Sequence, residues 1–166
     1  MRRTNLSSTA APSLLVPSAA AVVPSAAPWG AANRAVFSRL YVPVATQIRY
    51  LNWVVGVASG NVQVGVVRLA GTGHADFTRV AATAVIACPT AGDIRTDLGV
   101  QGLSPGDYAV FIWADNTTFQ TRLGNNAGNT ALRLGGLQNS YTTGVPTSGS
   151  FSWGQSYVSA TLEADV

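Results

Sequence analysis

From Ala35 onward, apolar and polar residues alternate in short runs that Gly, Pro, Asn and Asp separate. A period of two predicts strands that bury one face, and no convincing long amphipathic helix interrupts it. The pattern predicts seven strands: AVFSRLYVP, QIRYLNWVVGV, NVQVGVVRL, FTRVAATAVIAC, DYAVFIWAD, TFQTRL and SYVSATLEA. In the third strand Val62, Val64 and Val66 share one face. Alternate residues of the fifth strand from Tyr108 onward do the same, so both strands have a face suited to a core.

Turn-forming residues between these strands indicate an antiparallel arrangement. Ser59–Asn61 predicts a tight hairpin, and Ser104–Asp107 places Pro and Gly where a type II turn needs them. The short, evenly spaced strands predict an all-β fold, an antiparallel two-sheet β-sandwich of jelly-roll-like form, over residues 33–166. Between Gly124 and Gly149 the composition changes to Gly, Asn, Thr and Ser. This predicts a long loop at an exposed end of the sandwich or at a subunit contact.

Residues 1–32 form a Pro/Ala/Ser-rich segment that lies outside this pattern. Two arginines and an apolar middle resemble a secretory leader, but the recurring prolines break the continuous helix that a leader or a membrane span requires. We expect an extended arm that is retained and lies on a neighbouring subunit, with a flexible tether as the alternative. Its candidate partner-binding residues are Arg2, Arg3, Leu14, Leu15, Val16, Val22, Val23 and Trp29.

Charge is scarce along the whole chain. Only 10% of the residues are charged and 47% are apolar, whereas about 25% are charged in typical globular proteins. A surface with so few charges favours burial in a larger assembly, so we expect a homo-oligomer, with a trimer favoured. The net charge is only +3. This small excess indicates no basic face, and we expect no nucleic-acid partner.

Residues that carry chemistry are few. Cys88 is the only cysteine and His74 the only histidine, which excludes an intrachain disulfide and most metal and acid–base sites. No nucleotide-binding or zinc-protease motif is present. Asp93, Asp107 and Asp115 stand beside Gly, Pro or Asn, so turn hydrogen bonds explain them better than a glycosidase pair does. We therefore predict no enzymatic activity, no metal and no cofactor.

Aromatic residues offer one binding hypothesis, because their rings can stack on sugars. Trp53 and Trp113 lie in strongly apolar strands, which predicts that they pack in the core. Tyr141 instead lies within the Gly/Asn/Ser-rich region, and Trp153 lies just after it. They are the candidate glycan-binding residues.

Two segments carry a family resemblance, NRAVFSRLYVPVATQIRYLNWVVGVASGNVQVGVVRLAG and LSPGDYAVFIWADNTTFQTRLG. The second contains the pattern L-x-P-G-x-Y-x-x-x-x-x-A-D-N, from Leu103 to Asn116. Residues 33–124 resemble β-sandwich proteins from the structural modules of tailed bacteriophages, which serve as head decoration, head fibre or tail fibre components. The resemblance implies a structural role at the virion surface, and we favour the capsid over the tail. Its partners would be the major capsid protein or other virion subunits.

Two alternatives stay open. A tail-fibre or head-fibre domain would use the same sandwich to bind host glycans through Tyr141, Trp153 and the polar loops. A secreted carbohydrate-binding module would instead require the N-terminal segment to be a leader.

Overall fold

The computed structural model describes residues 14–15, 25–70, 76–125, 135–138, 141–154 and 156–164. This part of the chain is all-β, and no helix in it is long and apolar enough to cross a membrane. Its strands are β1 (Leu14–Leu15), β2 (Ser25–Pro28), β3 (Arg34–Val42), β4 (Thr46–Val57), β5 (Asn61–Ala70), β6 (Asp76–Ala82), β7 (Ile86–Ala87), β8 (Gly92–Leu103), β9 (Gly106–Ala114), β10 (Gln120–Asn125), β11 (Gly135–Gln138), β12 (Ser148–Ser150), β13 (Ser152–Gly154), β14 (Ser156–Val158) and β15 (Ala160–Ala164).

The strands form two antiparallel sheets that pack against each other, as the sequence predicts. The first sheet has the order β1-β15-β4-β10-β14, with β8 on the other edge of β4 and β2 paired to β10. The second sheet has the order β12-β6-β5-β9-β3-β11-β13, with β7 paired to β5. The chain crosses repeatedly from one sheet to the other, which makes the sandwich jelly-roll-like.

The main core lies between the two sheets. Val62, Val64 and Val66 of β5 are buried in it together with Leu51 and Trp53 of β4, which belong to the opposite sheet. Alternate residues of β9 from Tyr108 onward are buried in the same cluster. The predicted core faces of both strands are therefore confirmed.

A second core covers the outer face of the second sheet. Phe37 of β3, Phe77 of β6 and Phe111 of β9 are buried there with Phe151. The rings of Phe37 and Phe151 stack with centroids 4.4 Å apart and planes inclined by 13°. Trp113 is buried in this cluster, as predicted for the core. Burial on both faces explains why β9 is continuously apolar from Tyr108 to Ala114.

Two regions contain strands that the sequence did not predict. Residues 92–103 form β8, although no strand was predicted there, and part of the predicted loop 124–149 forms β11 and β12. β11 pairs with β3 and β13, and β12 pairs with β6. β11 and β12 consist largely of Gly and Ser, so their sequences show no alternation of apolar residues. Their backbones pair with neighbouring strands without burying large side chains.

The Ser59–Asn61 turn is present but is not a hairpin. It joins β4 in the first sheet to β5 in the second, so the predicted hairpin is wrong. Gly60 has a positive φ of 61°, and its Cα lies so close to the side chains of Asp115 and Asn116 that a Cβ would collide with them. Glycine is therefore required there, but a short turn cannot reveal whether the next strand stays in the same sheet.

The end of the predicted arm belongs to the sandwich. Ser25–Pro28 pairs with β10, and the Trp29 side chain is fully buried in the main core. The chain thus joins the fold before residue 33, and Trp29 packs inside this chain, which differs from the expected partner contact. Leu14 and Leu15 form β1, whereas Arg2, Arg3, Val16, Val22 and Val23 lie outside the described residues.

A buried serine connects the two sheets. Ser38 Oγ on β3 donates a hydrogen bond to the Val158 carbonyl and accepts one from the Val158 N–H, both at 2.7 Å. We expect Ser38→Ala to lower the free energy of unfolding by about 1–3 kcal/mol, because two buried backbone groups lose a partner. Urea denaturation measures this. The exposed Ser148→Ala is the control, expected to stay within about 0.5 kcal/mol, and equal losses in both variants would contradict the explanation.

Candidate functional site

β1 pairs with the edge of β15 that faces away from β4. Leu14 lies opposite Glu163 and Leu15 opposite Leu162 in an antiparallel pair. The other edge of β15 pairs with β4. A segment of the N-terminal region therefore adds a strand to the first sheet. Backbone hydrogen bonds carry little sequence information, so this edge can accept the same segment from its own chain or from a neighbour.

The outer face of the first sheet carries a charged network formed by Arg49, Tyr50, Arg95, Asp97 and Glu163. Arg95 donates two hydrogen bonds to the Glu163 carboxylate, at 3.1 Å from Nε and 2.7 Å from Nη2. Its guanidinium carbon lies 3.5 Å from the centroid of the Tyr50 ring. Arg49 likewise donates bidentate hydrogen bonds to the Asp97 carboxylate, from Nε and Nη2 at 3.0–3.3 Å. Paired bonds and ring stacking hold these side chains in fixed orientations.

Strand register brings the network together. Tyr50 of β4 lies opposite Asp97 of β8 on one edge and Glu163 of β15 on the other. Asn52, two residues further along β4, lies opposite Arg95. Residues opposite each other in a sheet share one face, so these side chains converge although they are far apart in the sequence.

The ion pairs lower the pKa of both carboxyl groups in the network. Hydrogen bonds from Arg49 are the main cause for Asp97, and hydrogen bonds from Arg95, followed by Asn52, are the main cause for Glu163. The bond to Glu163 in turn raises the pKa of Arg95. Both carboxyl groups therefore stay ionised at pH values below those at which they would usually become protonated.

Acid should destabilise the protein through these two carboxyls. Their pKa values are lower in the folded than in the unfolded state, so their contribution is fully present above the unfolded pKa and is lost as pH falls through the folded pKa. We expect melting temperatures to fall as the pH is lowered through this window. Glu163→Gln removes one titrating group and should make the fall smaller. Equal pH dependence in both proteins would contradict this assignment.

An open groove of about 250 Å³ lies beside the network. Its polar lining consists of a carboxylate, a guanidinium, an amide and two hydroxyl groups, on Asp93, Arg95, Asn52, Ser159 and Thr161. The Asn52 amide donates to Glu163 Oε2 at 3.2 Å, so the network also orients this lining residue. The groove can form hydrogen bonds to a small polar molecule.

Tyr141 and Trp153, the candidate glycan-binding residues, lie on the outer side of the second sheet. Both are half-buried against its aromatic cluster. Tyr141 meets Phe77 edge-on at 6.4 Å and Trp153 meets Phe151 edge-on at 4.9 Å between centroids. The Tyr141 hydroxyl donates to the Ser150 carbonyl at 2.9 Å. Through these contacts Tyr141 and Trp153 cover part of the second core. Glycan binding by the two residues stays a prediction.

The aspartates assigned to turns occupy different settings. Asp107 lies in β9 and pairs with Arg39 at 2.6 Å, and Asp93 lies in β8, so both are strand residues. Only Asp115 follows a strand, where its Oδ1 accepts a hydrogen bond from the Asn61 N–H at 2.9 Å. The turn assignment of Asp93 and Asp107 is therefore corrected, because cross-strand pairing rather than local turn geometry fixes their positions.

The other reactive side chains give little support for nucleophilic or metal chemistry. Cys88 is half-buried, and burial raises the pKa of its thiol, which disfavours the nucleophilic thiolate. Within the described ranges, no three His, Cys, Asp or Glu residues stand close enough together to hold a metal ion. His74 lies outside those ranges.

Sequence reasoning missed the first-sheet site because it did not predict β8. The signal was present: Asp93, Arg95 and Asp97 alternate with Ile94 and Leu98, which pack against the main core. The chain matches no protein-family model and no curated protein sequence. Its function is therefore inferred from its own residues.

Proposed function

We propose that the chain is a structural protein of a bacteriophage virion, which decorates or cements the capsid and has no catalytic role. The observation that carries this proposal is the pairing of β1 with the edge of β15. A short N-terminal strand on a sheet edge is a contact that neighbouring subunits can also make with each other. Such exchange would link copies of the chain, or the chain and the major capsid protein, without a catalytic site.

The length of the connection supports this mode of attachment. Nine residues, 16–24, separate β1 from β2. A chain of that length spans at most about 30 Å when extended. If β1 leaves its own β15 while β2 stays anchored on β10, it can extend up to this distance toward a sheet edge of an adjacent subunit.

Exposed apolar side chains also support a partner contact. Tyr41 is 60% exposed, Val44 65% and Val100 50%. Tyr41 and Val44 lie in and just after β3, at the end of the sandwich where Thr46 of β4 meets Leu103 of β8. Covering such side chains with another protein is favourable, since it removes apolar surface from water. Other virion subunits, including further copies in a trimer, are the proposed partners.

Antibody labelling of intact virions tests the proposal. An antibody raised against the full chain is added to purified phage particles from a host that produces it, and electron microscopy locates the label. We expect label over the head shell. Label at the fibre tips would instead favour the adhesion function, and virions without label would overturn a virion role altogether.

A further inference from the structure

The groove on the outer face of the first sheet is built on fully paired backbone. Asn52 of β4 lies opposite Arg95 of β8 on one side and Thr161 of β15 on the other. With both edges of β4 occupied there, a peptide cannot bind by adding a strand. A ligand in this groove meets side chains, and the apolar residues of its lining are Trp53, Val54, Ile94 and Ala160.

The charges around the groove disfavour an anionic ligand. Asp93 and Glu163 carry two negative charges there, and Arg95 carries one positive charge that already binds Glu163. A phosphate or a nucleic-acid backbone would meet this excess of negative charge. A neutral polar ligand avoids this repulsion.

Hydrogen-bonding capacity is left over on the β8 side of this groove, at two residues that lie two positions apart on one face of the strand. The Asp93 carboxylate and Arg95 Nη1 make no hydrogen bond to any residue that the structure describes. One is a charged acceptor and the other a charged donor, and charge-assisted bonds are the stronger kind. Arg95 is fixed by Glu163 and Tyr50, so little side-chain entropy is lost when a ligand binds.

We propose that this groove binds a neutral saccharide of one or two sugar units. Neighbouring hydroxyls of a sugar donate to a carboxylate and accept from a guanidinium at once, while its C–H face covers an apolar residue such as Val54. The volume of about 250 Å³ lies below the roughly 300–1,000 Å³ of drug-sized sites, which suits so small a ligand. This inference goes beyond the virion role and does not depend on it.

Nuclear magnetic resonance titration of the full chain tests the proposal. The probes are glucose, galactose, mannose, rhamnose and N-acetylglucosamine, each added to millimolar concentration, with the backbone amides of Asn52, Asp93 and Arg95 as reporters. We expect at least one sugar to shift these amides saturably. No shift from any probe would overturn the proposal. Shifts confined to Tyr141 and Trp153 would overturn it as well, because they would locate binding on the second sheet.

Matched aspartate variants provide the second part of the test. Asp93→Ala should weaken binding at least about tenfold, since it removes a charged acceptor. Asp76→Ala removes an exposed aspartate of β6 in the second sheet and should leave affinity unchanged. Thr161→Val, which removes only a lining hydroxyl, should weaken binding less than Asp93→Ala does. Equal affinity in the Asp93 and Asp76 variants would refute the site.

Discussion

Trp29→Ala should lower the free energy of unfolding by about 3–5 kcal/mol, the range seen when a buried tryptophan is truncated. The Trp29 side chain has no exposed surface and packs edge-on against Phe119, with ring centroids 5.2 Å apart. Its indole N–H donates to the Arg34 carbonyl at 2.9 Å. Truncation therefore opens a cavity in the main core and also removes the partner of a backbone carbonyl.

Guanidinium denaturation followed by far-ultraviolet circular dichroism measures this loss. Tyr41→Ala is the matched control, because it removes an aromatic side chain that is 60% exposed. That variant should stay within about 0.5 kcal/mol of the parent protein. If Trp29→Ala destabilises no more than the control does, Trp29 belongs to the arm, as its position beside the proline-rich segment suggests.

Alternation in the sequence was sufficient to predict β5 and β9, two of the strands that face the main core. In β5 and β9 every second residue is apolar, and those residues are buried between the sheets. The same reasoning could not predict the second core. Its aromatic residues come from strands distant in the chain, and residues such as Phe151 that cover them lie beside a Gly- and Ser-rich stretch without periodicity.

The pattern of β8 could have predicted that strand, but not the first-sheet site itself. It depends on the register of three strands, which places Glu163 beside Asn52 and Arg95 although 111 and 68 residues separate them in the chain. A turn such as Ser59–Asn61 shows only that the chain reverses. Which sheet the next strand joins is decided by packing of whole faces, so the convergence of polar residues appears only in the folded structure.

The N-terminal arm can be separated from the fold at Ser25. β2 contributes four residues to the pairing with β10, whereas β1 contributes two residues at the edge of β15. Deleting residues 1–24 should therefore leave the sandwich folded, with a similar circular dichroism spectrum and melting temperature. A cut after Pro28 would also remove β2 and should destabilise the first sheet.

Deleting residues 1–24 should also weaken incorporation into virions at least about tenfold. Several weak contacts made by one chain strengthen its binding together, and the deletion removes all those of the arm. Each apolar arm residue buried on a neighbour contributes about 1.5–3 kcal/mol. Arg2 and Arg3 would add a salt-sensitive contact to an acidic partner. Full-length and truncated chains are offered to undecorated particles, and the bound fraction is measured by sedimentation. If the truncated chain unfolds, the arm is part of the core; if it binds equally well, attachment is through the sandwich.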